Sequence, residues 1–123
     1  MANPNIVNVQ RILANTVTGN FAASNTVFVT NPASSGAVYK INSILITNVD
    51  GVTASNADLI ISNPVGSNTL ILNQVNVPIQ QSLVAIDKNT SIYLQENSTI
   101  GGQATEADDL SYTISFEQIY DTW

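Results

Sequence analysis

The feature that most constrains this fold is a strict alternation of apolar and polar side chains near the C-terminus. Between Leu110 and Tyr120 the even positions are apolar or aromatic apart from Gln118, and the odd positions are polar apart from Ile119. A period of two residues places the even side chains on one face of a β-strand. The β-branched and aromatic residues in this segment suit a half-buried sheet. We therefore predict that Leu110–Tyr120 is an antiparallel strand with one face in the core.

A second long segment, Ala37–Val49, has a similar composition but changes phase halfway along. Tyr39 and Ile41 share one face, whereas Ile44 and Ile46 fall on the opposite face. A β-bulge, or a strand that crosses from one sheet to another, would return both halves to the core. We expect one of these two irregularities near the middle of the segment.

Shorter β-rich runs, separated by turn residues, account for most of the remaining chain. Residues 6–17 fit either a strand or a short helix, and the abundance of Val, Thr and Asn favours a strand. Glu96–Asp109 is expected to be a long polar loop that contains Gly101-Gly102. The fold class predicted is all-β, an antiparallel and jelly-roll-like β-sandwich of seven or eight strands, forming a single domain over residues 1–123. The other predicted strands are Thr26–Thr30, Leu59–Ile61, Thr69–Ile79, Ser82–Ile86 and Ser91–Leu94.

The charge of the chain argues against several classes of partner. Only three basic residues, Arg11, Lys40 and Lys88, accompany nine acidic ones, and the net charge is −6. Three cations cannot follow a phosphate backbone, so we predict no nucleic-acid partner. An anionic membrane surface would repel the chain, and no apolar run is long enough to span a bilayer, so we predict no membrane partner. The N-terminal residues do not have the pattern of a secretory signal.

The side chains available for catalysis are few. The chain contains no His and no Cys, so a general base would have to be a carboxylate, a tuned Lys or a Tyr. Glu96, Glu106 and Glu117 are the candidate carboxylates, and we interpret them as solvated surface acids. No phosphate-binding glycine loop, nucleophile motif or zinc spacing is present. We predict that the chain is not an enzyme and that it requires no cofactor and no metal. Two groups of residues with oxygen ligands are candidates for calcium, although neither has EF-hand spacing: Glu106, Asp108 and Asp109, and Asn48, Asp50 and Asp58.

Aromatic residues at the C-terminus are the candidate interaction residues. Trp123 is the single Trp of the chain and follows the last predicted strand by three residues. Buried aromatic side chains dominate contact energies at protein interfaces. We predict that Tyr120 and Trp123 belong to an interface between subunits. Exposed aromatics also stack on sugar rings, so Tyr93, Tyr120 and Trp123 leave a glycan-binding module as an alternative.

The middle of the chain resembles small virion structural proteins of tailed phages, especially those that infect marine cyanobacteria. The resemblance is carried by Asn31–Ser35 (NPASS), by Val38–Gly51 (VYKINSILITNVDG) and by Asp87–Glu96 (DKNTSIYLQE). It covers roughly residues 26 to 120. It is a resemblance of pattern, and it brings no functional residue that can be assigned in this chain.

This resemblance implies a bacteriophage structural protein on the outer surface of the virion. The most direct expectation is a capsid decoration protein that binds the shell as a homo-oligomer, with a trimer favoured and the major capsid protein or a neck or tail protein as partner. A neck or tail appendage and a glycan- or receptor-binding module are the alternatives. The acidic composition agrees with an outer position, because a surface that faces packaged DNA would be expected to avoid strong negative charge.

Overall fold

The structure, a computed structural model, describes residues 11–63 and 68–120. These residues form strands, turns and irregular connections, and no helix occurs among them. The alternation from Leu110 to Tyr120 is confirmed as a strand with these same bounds, and it pairs on both sides with antiparallel neighbours. Nine strands are present in chain order: β1 Arg11–Asn20, β2 Thr26–Asn31, β3 Ala37–Asn48, β4 Ser55–Ser62, β5 Asn68–Val77, β6 Ser82–Ile86, β7 Ile92–Leu94, β8 Ser98–Ala104 and β9 Leu110–Tyr120.

The strands form two antiparallel sheets in the order of a jelly roll. One sheet has the order β1-β9-β3-β6, with β7 also pairing with β3, and the other has the order β2-β8-β4-β5. Successive strands alternate between the sheets except for β4 and β5, which share one sheet, and β6 and β7, which share the other, an order in which two Greek keys fold together. The predicted fold class is confirmed, and the described residues contain nine strands in place of the predicted seven or eight.

The additional strand is β8, which lies within the segment predicted to be a polar loop. The prediction for Glu96–Asp109 is wrong in its centre, because Gly101 and Gly102 pair with neighbours on both sides. A Cβ atom on Gly101 would collide with the Thr26 carbonyl, and one on Gly102 would collide with the Asp58 carbonyl. Glycine in a strand interior often marks such a close backbone approach. The two glycines are therefore required by the packing of β8 and do not mark a turn.

The ambiguous N-terminal segment is a strand where the structure describes it. Residues 11–17 belong to β1, which pairs with β9 without any shift of register. Residues 6–10 lie outside the described residues. The pairing is non-local, so the strand is specified by β9 and not by its own propensity.

The predicted change of phase in the long second segment is a bulge in β3. The register against β9 shifts between Ile41 and Ser43, which leaves Asn42 as the extra residue. Ile41 and Ile44 consequently both have no exposed surface, although they are three residues apart. The bulge thus allows one strand to face the core along most of its length.

The core lies between the sheets and is closed at each end by a buried asparagine. Asn31 has no exposed surface, and its Nδ2 donates to the carbonyl oxygens of Ala37 (3.0 Å) and Leu94 (2.9 Å). At the other end, Asn48 Nδ2 donates to the carbonyl oxygens of Thr53 (3.1 Å) and Val77 (3.0 Å). Each amide satisfies backbone oxygens where strands diverge into loops, positions at which an unpaired polar group would be costly.

Candidate functional site

Of the two predicted interface residues, only Tyr120 lies within the described residues. Its ring is partly buried against the core, and its hydroxyl donates to Gln118 Oε1 at 2.9 Å. The Arg11 guanidinium lies 4.1 Å from the ring centroid, a cation–π geometry. These contacts give Tyr120 a structural role within its own subunit. Trp123 lies outside the described residues, so its place at an interface stays a prediction.

A second tyrosine lies on the same inner face as Tyr120. Tyr39 is buried and stacks on Phe116, with ring centroids 5.4 Å apart. Burial raises the pKa of Tyr39 above its ordinary value of 10.0, and the nearby Tyr120 raises it further. The neutral hydroxyl is therefore favoured in the folded protein, and this part of the sheet is a packed surface.

The sheets end in four edges that differ in how well they resist pairing with another chain. Native proteins protect edge strands by keeping them short or by interrupting them with bulges. The edge strand β2 has a register shift between Val27 and Val29, and β5 has two shifts and a left-handed residue at Gln74 (φ 55°). The third edge is divided along β3 into the short strands β6 and β7. Among the described edges, only β1 is long and uninterrupted.

The side of β1 that faces away from β9 bears an open row of backbone groups. Neighbouring residues in an antiparallel pair alternate between bonding their partner and pointing away from it. Phe21 N donates to the Leu110 carbonyl oxygen at 2.8 Å, and this pair continues the register between β1 and β9. The odd residues of β1 therefore form the backbone hydrogen bonds to β9. Consistently, Thr16 N donates to Asn15 Oδ1 at 2.9 Å instead of to β9. The even residues of β1 therefore present their N–H and C=O groups outward.

Exposed apolar side chains accompany this open edge. Ile12 is 52% exposed and Leu13 is 44% exposed, on opposite faces of β1. Val27 of β2 is 54% exposed, and β2 occupies the corresponding edge of the second sheet. Along β1 the single charged residue is Arg11, at its start. We call the surface formed by Arg11–Asn20 and Val27 the β1 side.

Charge is distributed unevenly along the strand direction. One end of the sandwich is formed by the connections 21–25, 49–54, 78–81 and 105–109, and we call it the acid-rich end. It bears Asp50, Glu106, Asp108 and Asp109 and none of the three basic residues of the chain. Arg11 starts β1 and Lys40 lies near the start of β3, both toward the opposite end, whereas Lys88 lies in the turn before β7, beside the middle of β3. Asp87, Glu96 and Glu117 also lie outside the acid-rich end, which therefore differs from the rest of the subunit in having acidic residues without basic ones.

Two of the calcium candidates, Asp50 and Asp109, share a hydrogen-bonding partner in Thr53. Thr53 Oγ1 lies 2.7 Å from Asp50 Oδ2 and 3.3 Å from Asp109 Oδ2, which brings these two carboxylates together. Hydrogen bonds from Thr53 and from the Val52 amide lower the pKa of Asp50. Residues 11–63 and 68–120 contain no group of three or more His, Cys, Asp or Glu side chains placed to hold a metal ion.

Three further carboxylates, considered as catalytic candidates, occupy separate places. The interpretation of Glu96 as a solvated surface acid is wrong, because its side chain is buried and its Oε2 accepts a hydrogen bond from the Gly36 amide at 3.0 Å. Glu106 is exposed at the acid-rich end, and Glu117 on β9 accepts a hydrogen bond from Asn42 Nδ2 at 3.0 Å. The three side chains belong to different ends or faces of the sandwich and do not form a common cleft. The prediction that the chain is not an enzyme stays a prediction.

A polar cleft of about 260 Å³ opens on the outer face of the second sheet. At its base Asp58 is only 6% exposed, and it accepts hydrogen bonds from Gln74 N (2.6 Å), Gln74 Nε2 (3.4 Å) and Gln103 Nε2 (3.2 Å). The first of these bonds holds the left-handed backbone of Gln74, so the carboxylate stabilises the bulge in β5. The full lining is Ala23, Asn56, Asp58, Gln74, Gln103, Ala104 and Thr105.

The sequence-based search missed the β1 side, which is the most open surface of the described residues. A signal was present, because the segment from Ile12 to Asn20 contains neither a charged residue nor a proline. Such residues are the usual protection of an edge strand. The absence of charge and proline indicates an unprotected edge only when the segment is known to be a strand at the edge of a sheet. Within the described ranges no helix is long and apolar enough to cross a membrane.

Comparison with known proteins gives structural neighbours but no relatives by sequence. No protein-family model and no curated protein matches this sequence. A Bacillus endospore appendage, described as belonging to a novel family of disulfide-linked pili, shares the fold with a TM-score of 0.52 and 13% identity, over 89% of this chain and 88% of that one. This likeness shows the fold alone, and the present chain has no Cys with which to form such disulfides.

Two crystal structures of a pentameric capsid protein isolated from metagenomic phage sequences are similar to a lesser degree. Their TM-scores are 0.43 and 0.42, each with 14% identity over 85% of this chain. The matched part spans 60% and 62% of those longer chains. The fold assignment therefore depends on the strand order of this chain itself and on the appendage protein.

Proposed function

We propose that this chain is a structural subunit of a tailed-phage virion, an outer capsid decoration protein that binds the shell as an oligomer. The observation that carries the proposal is the uninterrupted ten-residue edge strand β1, with exposed Ile12 and Leu13 and outward backbone groups. A long unprotected edge is a hazard in a monomer, so its retention is expected where another chain covers it.

The fold is compatible with an assembly protein. Jelly rolls occur in viral capsid domains and also in lectin domains, so the fold does not by itself separate assembly from sugar binding. The Bacillus appendage with this fold is a subunit of a pilus, which is likewise an assembly. The resemblance of Val38–Gly51 and Asp87–Glu96 to phage virion proteins supports the narrower proposal of a decoration protein.

A glycan- or receptor-binding module is less well supported by the described surface. Tyr93 is 47% exposed, but Tyr120 is covered by Arg11, and the polar cleft around Asp58 has no aromatic residue in its lining. Sugar sites usually combine polar groups with a stacking aromatic ring. A neck or tail appendage is distinguished from a decoration protein by its position and its copy number on the particle.

Copy number in purified particles is the test. We expect quantitative mass spectrometry to find this chain in stoichiometric proportion to the major capsid protein, and antibody labelling to reach it on intact particles. A ratio of only a few copies per particle would assign the chain to the neck or tail. Absence from purified particles would contradict the proposal. Sedimentation of the isolated protein measures the order of the oligomer, for which the trimer is still a prediction.

A further inference from the structure

We propose that two copies of this chain pair through β1, edge to edge and antiparallel, so that their first sheets join into one continuous sheet. This inference deepens the proposed function, on which it depends, because it names the surface and the partner of the oligomer. The occupant of the β1 side is a second copy of the same chain.

The backbone geometry of β1 suits an antiparallel partner. Its even residues point their N–H and C=O groups outward, and the register against β9 has no bulge over ten residues. Self-pairing must therefore match even residues with even residues, for example Ile12 with Thr18 of the second copy. The outward N–H of Thr16 already donates to Asn15 Oδ1. On pairing it would exchange this hydrogen bond for one to the partner strand.

The side chains on the β1 side do not oppose self-association. Residues 12–20 are uncharged, so no like charges would face each other across the new strand pair. Ile12 and Leu13 lie on opposite faces of the strand and would both lose exposed apolar surface. Val27, on the matching edge of the second sheet, lies on the side from which the second subunit would approach.

The charges at the two ends of β1 favour the antiparallel arrangement. Arg11 starts β1, and Asn20 ends it next to the connections 21–25 and 105–109 of the acid-rich end. An antiparallel pair brings Arg11 of each copy toward the acid-rich end of the other, where Asp108 and Glu106 lie. A parallel pair would place the two acid-rich ends side by side. Opposite charges across an interface fix orientation, and like charges disfavour the wrong one.

A two-fold pairing of this kind is isologous and closes on itself. The dimer becomes the building unit, and larger assemblies contain even numbers of chains. A dimer differs from the trimer expected from the sequence, so the oligomeric state measured in solution distinguishes the two.

The test is sedimentation of the full chain over a range of concentrations, with matched variants. Ile12→Lys places a charge on the β1 side, and Val84→Lys places the same charge on β6, at the opposite edge of the first sheet, where Val84 is 56% exposed. We expect a dimer for the wild-type chain, a Kd raised at least tenfold by Ile12→Lys, and no change with Val84→Lys. Ala14→Pro is the second variant, since it removes an outward N–H and puts the proline ring in the path of the partner strand. Circular dichroism and thermal melting verify that each variant is folded.

Three results would overturn the pairing. They are a monomer at every concentration, a trimer, or equal dimerisation of the Ile12→Lys and Val84→Lys proteins. A wild-type monomer whose incorporation into particles is lost with Ala14→Pro would mean that β1 takes a strand of the shell protein instead. If the wild-type chain dimerises through β1 but is absent from particles, the proposed function fails while the pairing stands. If Ile12→Lys and Val84→Lys dimerise equally and the wild-type chain is present in stoichiometric proportion on particles, the pairing fails while the proposed function stands.

Discussion

Replacing Asn31 with Ala should be among the most damaging single substitutions of a polar side chain in this protein. Asn31 has no exposed surface; its amide donates to two buried backbone carbonyls, and its Oδ1 accepts from Ser35 Oγ at 2.6 Å in a partly buried bond. The bonds join the end of β2 to the start of β3 and to β7. A single side chain therefore connects three segments, and all three of these bonds are lost together when it is removed.

The size of the effect follows from these three bonds. Each contributes about 1 kcal/mol net, so the loss of all three sets the scale of the effect. We expect the free energy of unfolding to fall by about 3 kcal/mol, which corresponds to a decrease of roughly 12 °C in Tm for a domain of this size.

The measurement is urea denaturation followed by circular dichroism, with Asn25→Ala as the matched control. Asn25 is an exposed residue of the 21–25 connection, and its replacement should change stability by less than about 0.5 kcal/mol. The m value should be the same for all three proteins, because the surface exposed on unfolding hardly changes. A loss below about 1 kcal/mol for Asn31→Ala would refute the role assigned to this amide.

Two further substitutions test the packing of the sheets. Gly102→Ala should destabilise by about 3 kcal/mol, because the new Cβ collides with the Asp58 carbonyl and crowds the Phe21 ring. Gly51→Ala, where the nearest atom is a flexible Gln80 amide at 3.5 Å, should be nearly neutral in the same melting assay, and equal effects would contradict the packing argument. For Tyr39 the raised pKa means that the unfolded chain ionises first as the pH rises above 10. Stability is then fully present below that pH and is lost as the pH rises through the folded pKa. Tyr39→Phe should flatten this alkaline decrease, and an unchanged profile would rule out the contribution of Tyr39.

Local patterns in the sequence predicted the strands in which the alternation of apolar and polar side chains indicates the buried face. Leu110–Tyr120 shows its buried face directly, and the change of phase between Ile41 and Ile44 indicates an extra residue. The strand β8 could not be predicted, because Gly101 and Gly102 are required by the close approach of carbonyl groups from neighbouring strands. The residues next to them in the sequence do not indicate which strands those are.

The candidate site was harder to predict than the fold, for a related reason. Its properties arise when segments distant in sequence are brought together. Asp50 and Asp109 meet through Thr53 only because the connections of the jelly roll meet at one end. In the same way, Ile12 and Leu13 read as ordinary apolar residues until the strand order places β1 at an edge. Tyr120, one of the two aromatic residues predicted to lie at an interface, makes contacts within its own subunit.

The most direct test of the central claim is a cryo-electron microscopy map of the intact virion at side-chain resolution. The account predicts a jelly roll on the outer surface of the shell, with the strand order β1-β9-β3-β6 in one sheet and another chain beside β1. A map in which this chain is absent, or in which β1 faces solvent throughout the particle, would contradict the account.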